Sequence, residues 1–315
     1  MMHMLLALMA MMATLGEPAP DKRIALSFDD APRHRGAFLT PDERTERLID
    51  ALRAAGVTQA AFFVNPAKLD TPEGAGGEAR LAAYVAAGHV LANHTFRHPN
   101  LLNVTAEAFL AEIDETEAWL HDRPGRRPWF RFPYLNEGGR DKAKRDAVRA
   151  GLRARGLSNG HVSADGSDWS LEALTVEAAN AGKSIDMEAL RRLYVTSQMS
   201  GIAYHDELAR RTLGRSPAHV MLLHETDLAA LFVGDLVDEL RRHGWTIITM
   251  DEAYADPFYQ MEPDVPYASG TLTGSVAWQQ DIKPPLWPIW LSTESMKDLF
   301  QRRVVREATP PPTAP

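Results

Sequence analysis

Short apolar runs separated by helical patterns recur from Arg23 to Met250 and constrain the fold of this chain more than any other feature. The runs are RIALSF, QAAFFV, HVLAN, PWFRFP, GHVSADGSDW, AHVMLLHE and WTIITM. Most are apolar along their whole length, so each strand is expected to be covered on both faces, and strands separated by helices pair in parallel. In the first intervening segment, TPDERTERLIDALRAAG, Leu48, Ile49 and Leu52 share one face, and Thr40 or Asp42 can cap the start. In TAEAFLAEIDETEAWL, Phe109, Ile113, Thr116 and Leu120 form one stripe. Seven such units predict an α/β chain whose parallel strands form a closed or nearly closed β/α barrel rather than an open sheet.

The remaining segments are arranged around this core. Residues 1–19 read as a signal peptide and leader, because the apolar run from Leu5 to Leu15 is too short to span a bilayer but long enough for a signal core, although no Lys or Arg precedes it. Export to the periplasm or the cell exterior is therefore expected, with no membrane span in the mature protein. Residues 20–256 hold the barrel units. Within them, DWSLEALTVEAANAGKSIDMEALRRLYVTSQMSGIAYHDELARRTLGRSP predicts two or three amphipathic helices and no strand, a helical insertion in one crossover. From 257 to 315 the composition shifts to Pro, Gly, Thr and Trp, which predicts a largely irregular extension with a flexible end at ATPPPTAP.

Composition excludes several classes. A net charge of -8 provides no overall basic field for a nucleic-acid backbone. The local run RDKAKRDAVRAGLRARG reads as the solvated face of a helix, since Ala, Val and Leu recur between its charges. The absence of cysteine removes disulfides, thiolate metal sites, a cysteine nucleophile and a lipoprotein-type anchor together. Nothing in the sequence fixes an oligomeric state.

Reactive groups of a parallel β/α barrel gather at the C-terminal ends of its strands. Asp29 and Asp30 follow the first strand, and two adjacent carboxylates repel unless a cation, a proton or open water relieves them. NHTFRH follows the third strand and offers His94 and His98 on one side of a turn. Alone, the Asp pair fits a capped turn and the His pair a partly exposed loop. Together, at strand ends of one barrel, they make an Asp/His/His site for a borderline divalent ion with positions left for water. RFPY adds Arg131, able to pair a carboxylate, and backbone N–H groups after Pro133. DGSDW adds Asp165, Asp168 and Trp169, and MLLHETD adds His224 at the end of a buried strand. In PPLWPIW, Trp287 and Trp290 either stack on a sugar ring or pack the extension onto the barrel. His34 reads as a loop residue, and the other histidines have no motif context.

In order, these segments resemble the five motifs of the polysaccharide deacetylases, carbohydrate esterase family four with the NodB homology domain, over residues 22 to 255. The resemblance implies a distorted seven-stranded β/α barrel and a metal-dependent hydrolase that removes N- or O-acetyl groups from a glycan or oligosaccharide. It implies that Asp30, His94 and His98 bind the metal, usually zinc and sometimes cobalt, and that water activated by the ion is the nucleophile. Asp29 is then the base, Arg131 orients it, His224 is the acid and Asp168 tunes the site. Tyr134, through its backbone N–H, helps hold the oxyanion, while Trp169 and Leu223 line the acyl pocket. Two residues depart from the pattern: Ala31 and Tyr134 stand where glycine is common. Two other functions remain open, a hydrolase of a non-glycan amide on the same barrel and an inactive carbohydrate-binding barrel.

Overall fold

A computed structural model describes residues 22–306, so the leader and the Pro-rich end lie outside the described residues. In chain order the elements are β1 (Lys22–Ala31), α1 (Pro41–Ala54), β2 (Ala61–Val64), α2 (Gly77–Ala86), β3 (Val90–Asn93), α3 (Ala106–Leu120), β4 (Arg126–Phe130) and β5 (Asn136–Gly139). They continue with α4 (Lys142–Ala154), β6 (Ser158–Asn159), β7 (Ala164–Asp165), α5 (Asp168–Asn180), β8 (Ser184–Ile185), α6 (Met187–Leu213), β9 (Ala218–His224), α7 (Asp227–Arg242) and β10 (Trp245–Ile247). The last are α8 (Met250–Tyr254), β11 (Ala268–Ser269), α9 (Leu272–Gln279), α10 (Thr293–Arg303) and β12 (Val305–Arg306).

The main sheet runs β6-β4-β3-β2-β1-β9-β7, and every pairing in it is parallel. β10 adds to the lower half of β1, from Lys22↔Trp245 to Ile24↔Ile247, while β2 takes the upper half. The two ends of the sheet, β6 and β7, are consecutive in the chain. Only residues 160–163 separate them, a step that reaches at most about 18 Å at ~3.6 Å per residue. The sheet is therefore curled into a half-barrel, as the alternating pattern predicts. GHVSADGSDW contributes less strand than its letters promise: β7 is two residues long, and β6 lies just before the segment.

Local sequence accounts for the elements that hold the frame. Thr40 and Glu43 form the expected reciprocal cap on α1, with Glu43 N donating to Thr40 Oγ1 and Thr40 N to Glu43 Oε2. The stripe Phe109, Ile113, Thr116 and Leu120 is the buried face of α3. Alternation along β1 sorts its side chains. Ile24, Leu26 and Phe28 pack under α1 and α7, whereas Ala25 joins the other core, with Val220, Leu222 and Met250. Ser27 and Asp29 share Ala25's face, so period two alone carries Asp29 into the barrel mouth.

The insertion between residues 168 and 213 consists of α5, the two-residue β8 and the 27-residue α6; β8 stands where no strand was predicted, because β12 from the end of the described chain supplies it with an antiparallel partner. The segment after residue 256 is more ordered than its composition predicts. Leu272 N donates to Val162 O at 2.9 Å and Thr273 Oγ1 to Ser163 O at 2.8 Å, so α9 sits against the link between β6 and β7. β11 pairs antiparallel with β5, and Gly270 N donates to Leu135 O at 3.0 Å. The physical reason is that the curled sheet leaves backbone carbonyls at its opening that need donors. The run from Asp281 to Pro288 stays irregular.

One glycine shows how tightly α6 is seated. A Cβ at Gly201 would lie 2.2 Å from Asp165 O and 2.9 Å from the Cα of Gly166. Gly201→Ala, which in an open helix would gain about 1 kcal/mol, is expected to destabilise by about 1–3 kcal/mol through overpacking. Chemical denaturation of the variant, with an unchanged m-value, checks this.

Candidate metal and catalytic centre

The predicted site residues converge at the C-terminal mouth of the sheet. Asp29 pairs in register with His224 on the neighbouring strand β9. Asp30, the next residue, has φ of 70°, which turns its side chain out of the strand pattern. Thr95 and His98 have φ of 65° and 61°, Tyr134 and Leu135 have 58° and 49°, and Ser167 has 59°, so six non-glycine residues around the mouth adopt left-handed backbone. The conformation at Tyr134 gives the physical reason for glycine being common there. Ala31 continues β1 without a positive φ, so its β-carbon carries no such strain.

Side chains of NHTFRH itself and of the loop after β2 hold this backbone in place. Asn65 Nδ2 donates to His94 O at 2.7 Å and to Thr95 O at 3.0 Å. Thr95 N donates to Asn93 Oδ1 at 2.9 Å, and His98 N to Thr95 Oγ1 at 3.1 Å. Lys68 Nζ donates to Asp30 O at 2.8 Å and to Asn65 Oδ1 at 3.1 Å.

Asp30, His94 and His98 each aim one ligand atom at a common point, all within 4.8 Å of one another. Asp30 Oδ1 lies 3.2 Å from His98 Nε2 and 3.8 Å from His94 Nε2. These values bracket the edge of a tetrahedron with bonds of about 2.1 Å, roughly 3.4 Å. Two further observations fit a cation. Asp30 Oδ1 is buried and accepts no hydrogen bond among the described residues, while Arg33 NH1 holds the other carboxylate oxygen at 2.6 Å. His94 Nδ1 lies 2.9 Å from Arg131 O, so that nitrogen carries the proton and Nε2 presents a lone pair. Burial lowers the pKa of both imidazoles to about 3, with His94 adding to the effect on His98. Both are therefore neutral donors. Burial pushes the Asp30 carboxyl up, but Lys68 and Arg33 outweigh it and hold it well below its ordinary value.

Asp29 sits beside this group in a different environment. Arg131 NH1 donates to Asp29 Oδ1 at 2.5 Å and to Ser27 Oγ at 2.8 Å. The rest of the buried guanidinium is fixed by Gly160 O at 2.8 Å, by the Tyr254 hydroxyl at 3.0 Å and by the Phe63 ring, whose centroid is 3.7 Å from Cζ. Burial raises the Asp29 pKa above its ordinary value, with Arg131 and His224 opposing it. Across the mouth, His224 Nδ1 lies 2.8 Å from Asp168 Oδ1, and its backbone N–H donates to Asp168 Oδ2 at 2.7 Å. Burial alone would lower the His224 pKa, but the buried Asp168 carboxylate overrides it and raises the value to about 9. Asp165 is pushed up to about 6 by burial, although Ser167 N donates to it.

Tyr134 lies exposed on the rim, its ring centroid 4.7 Å from that of His98. Trp169 is half-exposed at the start of α5, and Leu223 is fully buried beside His224. The structure thus brings the polar predicted residues to one mouth, whereas Leu223, predicted to line the acyl pocket, pairs with Phe28 and packs with it in the core under α1 and α7, because strand alternation turns it away from the face of Asp29 and His224. Lys68, Arg33, Asn65 and Tyr254 were not predicted, and the only local signal for any of them is Arg33, three residues past Asp30. Trp290 packs on α6, with Nε1 donating to Ser200 Oγ at 3.3 Å, while Trp287 is 51% exposed.

A parallel half-barrel with two imidazoles, paired carboxylates and a fixed arginine at its strand ends defines a class, the β/α-barrel proteins with a candidate metal centre at the mouth. Residues 16–154 match the polysaccharide deacetylase family model. The chain is 28% identical over 174 residues to chitin deacetylase 1 of Cryptococcus neoformans, covering 53% of this chain and 33% of that protein. It is 33% identical over 119 residues to a peptidoglycan-N-acetylglucosamine deacetylase of Bacillus cereus, covering 37% and 38%. The chain thus spans little more than a third of the length of these curated relatives. The structure of the chitin deacetylase from Colletotrichum lindemuthianum superposes with a TM-score of 0.51 at 19% identity, over 74% of this chain and 88% of that one, a likeness of fold. The family match holds Asp29, Asp30, His94, His98, Arg131 and Tyr134; Asp168 and His224 lie beyond it. Among the described residues no helix is long and apolar enough to cross a membrane.

Proposed function

We propose that this protein is an exported metal-dependent hydrolase that removes N- or O-acetyl groups from a glycan or oligosaccharide. One observation carries the reading. Adjacent carboxylates have opposite environments, with Asp30 Oδ1 unbonded and facing two neutral imidazoles, and Asp29 held by Arg131. Asp30, His94 and His98 would hold a divalent ion, zinc by the donor set and cobalt as a substitute. Such an ion supplies Lewis-acid polarisation of the acetyl carbonyl and acidifies a water.

The chain's own groups do the rest. Asp29 accepts the proton of the attacking water, and Arg131 fixes which oxygen of Asp29 faces the mouth. The Tyr134 backbone N–H faces the charge that develops on the carbonyl oxygen. His224, protonated at neutral pH through Asp168, gives its Nε2 proton to the departing amine or alcohol. Trp169, half-exposed beside Asp168, bounds the acetyl group. The glycan assignment follows the names of the relatives, one a chitin deacetylase and one a peptidoglycan-N-acetylglucosamine deacetylase.

The test begins with metal-stripped protein. Zinc at a hundred times its dissociation constant is expected to stabilise the fold by about 2.7 kcal/mol, with one ion per chain, and to restore acetate release from N-acetylglucosamine oligomers. Asp30→Ala should abolish both effects. Full acetate release in the presence of a strong chelator would sink the proposal. Release from small amides but not from acetylated sugars would favour the non-glycan hydrolase.

A further inference from the structure

A cavity of about 1090 Å³ opens beside the catalytic mouth, and the segment after residue 256 builds most of its wall. Two connections tie it to the site. Its inner wall includes Asp165 and Ser167, just ahead of Asp168, and Asp165 is near enough to Asp168, His224 and Asp29 to feel their charges. Its other flank includes Gly270, whose N–H donates to Leu135 O, the residue after Tyr134.

The outer wall is mostly carbon, with Asp281 and Lys283 beside it. Trp278, Trp287 and Ile289 face the cavity while 40, 51 and 54% exposed, and Leu286 completes that side. Apolar surface of this kind, gathered in one concavity beside polar catalytic groups, is the usual make-up of a ligand site, and the volume lies at the upper end for one. The wall is anchored rather than loose: the Tyr204 hydroxyl of α6 donates to Pro285 O, and Trp290 packs edge-on against the same tyrosine. A second sugar ring could stack on a tryptophan, but any hydroxyl it turned toward Leu286 or Ile289 would be left unpaired, at a cost in free energy. An alkyl or aryl group leaves nothing unpaired there.

We infer that this cavity binds an alkyl or aryl group that the substrate carries next to its acetylated residue, so that the protein selects an amphipathic acetylated glycoside over the interior of a long polar chain. The chemistry at the neighbouring mouth rests on the deacetylase reading, whereas binding in the cavity does not. The experiment compares methyl and octyl β-glycosides of N-acetylglucosamine, below the micelle concentration, on the full chain loaded with zinc. Calorimetry reads binding and acetate release reads turnover. The octyl glycoside is expected to bind at least about tenfold tighter than the methyl glycoside, as burial of even part of the chain requires. Trp287→Ala and Ile289→Asn, both at exposed positions, should each cut that ratio to about threefold or less. Equal binding of the two glycosides, or a preference that survives both variants, would overturn the assignment. Tight, Trp287-dependent octyl binding with no acetate release from either glycoside supports the cavity and counts against deacetylation. Acetate release with equal KM for both glycosides does the reverse.

Discussion

Asp29→Asn is expected to lower kcat for acetate release by about a thousandfold, within the range of a lost general base, while zinc still binds one ion per chain. The two outcomes separate because Asp29 and Asp30 have different partners. Asparagine keeps an oxygen that can accept from the Arg131 guanidinium, whose three nitrogens already donate to Ser27 Oγ, Gly160 O and the Tyr254 hydroxyl, so the guanidinium is not left unpaired. Asp30, His94 and His98 are untouched. In the wild type, kcat/KM should rise with pH as Asp29 ionises, its midpoint set by burial, which raises that pKa, against Arg131, His224 and the neighbouring cation, which lower it. In Asp29→Asn that acid limb should vanish. A variant that loses zinc along with activity would make Asp29 a ligand and reassign the base.

Much of this centre is legible in the sequence because barrel topology does the collecting. Asp30 ends β1 and His94 follows β3, so a parallel sheet with short connections places them together whatever the details of packing. His224 is legible for the same reason, at the end of an apolar run that becomes β9. The supporting residues are not. Lys68 and Asn65 come from a loop after β2 with no motif of its own, and their role exists only once β3 has turned back beside them. Tyr254 reaches Arg131 from α8, more than a hundred residues along the chain. The extension hides for another reason. α9 is only eight residues long, and the exposed Trp278 lies opposite its buried face of Leu272, Thr273, Val276 and Ala277, so its amphipathic signal is weak, and turn-forming Pro and Gly beside it suggest an irregular chain.

Asp168→Asn should have the second large effect, read first as a titration. In metal-free wild type the His224 imidazole holds its proton to about pH 9, because Asp168 contacts Nδ1 and overrides burial. Asparagine removes that charge and presents an amide N–H to one of the two donors that Asp168 accepts from. The His224 pKa is then expected to fall to its ordinary value or below, visible as a shift of two or more units in its imidazole NMR resonances. The sign for stability follows from linkage. A pKa raised in the folded state adds stability that is fully present below about pH 6.5 and is lost as pH rises through about 9. The wild type should lose about 3 kcal/mol across that window, whereas the variant should begin less stable and show little pH dependence there. Activity follows the same proton. At pH 7 the variant lacks a charged acid for the leaving amine, so turnover of N-acetyl substrates should drop by about a hundredfold or more. Substrates with a low-pKa phenolate leaving group, which departs without a proton, should lose far less. Equal losses on both kinds of substrate, with the His224 titration unmoved, would show that Asp168 only holds the end of β9 and that the proton comes from another group.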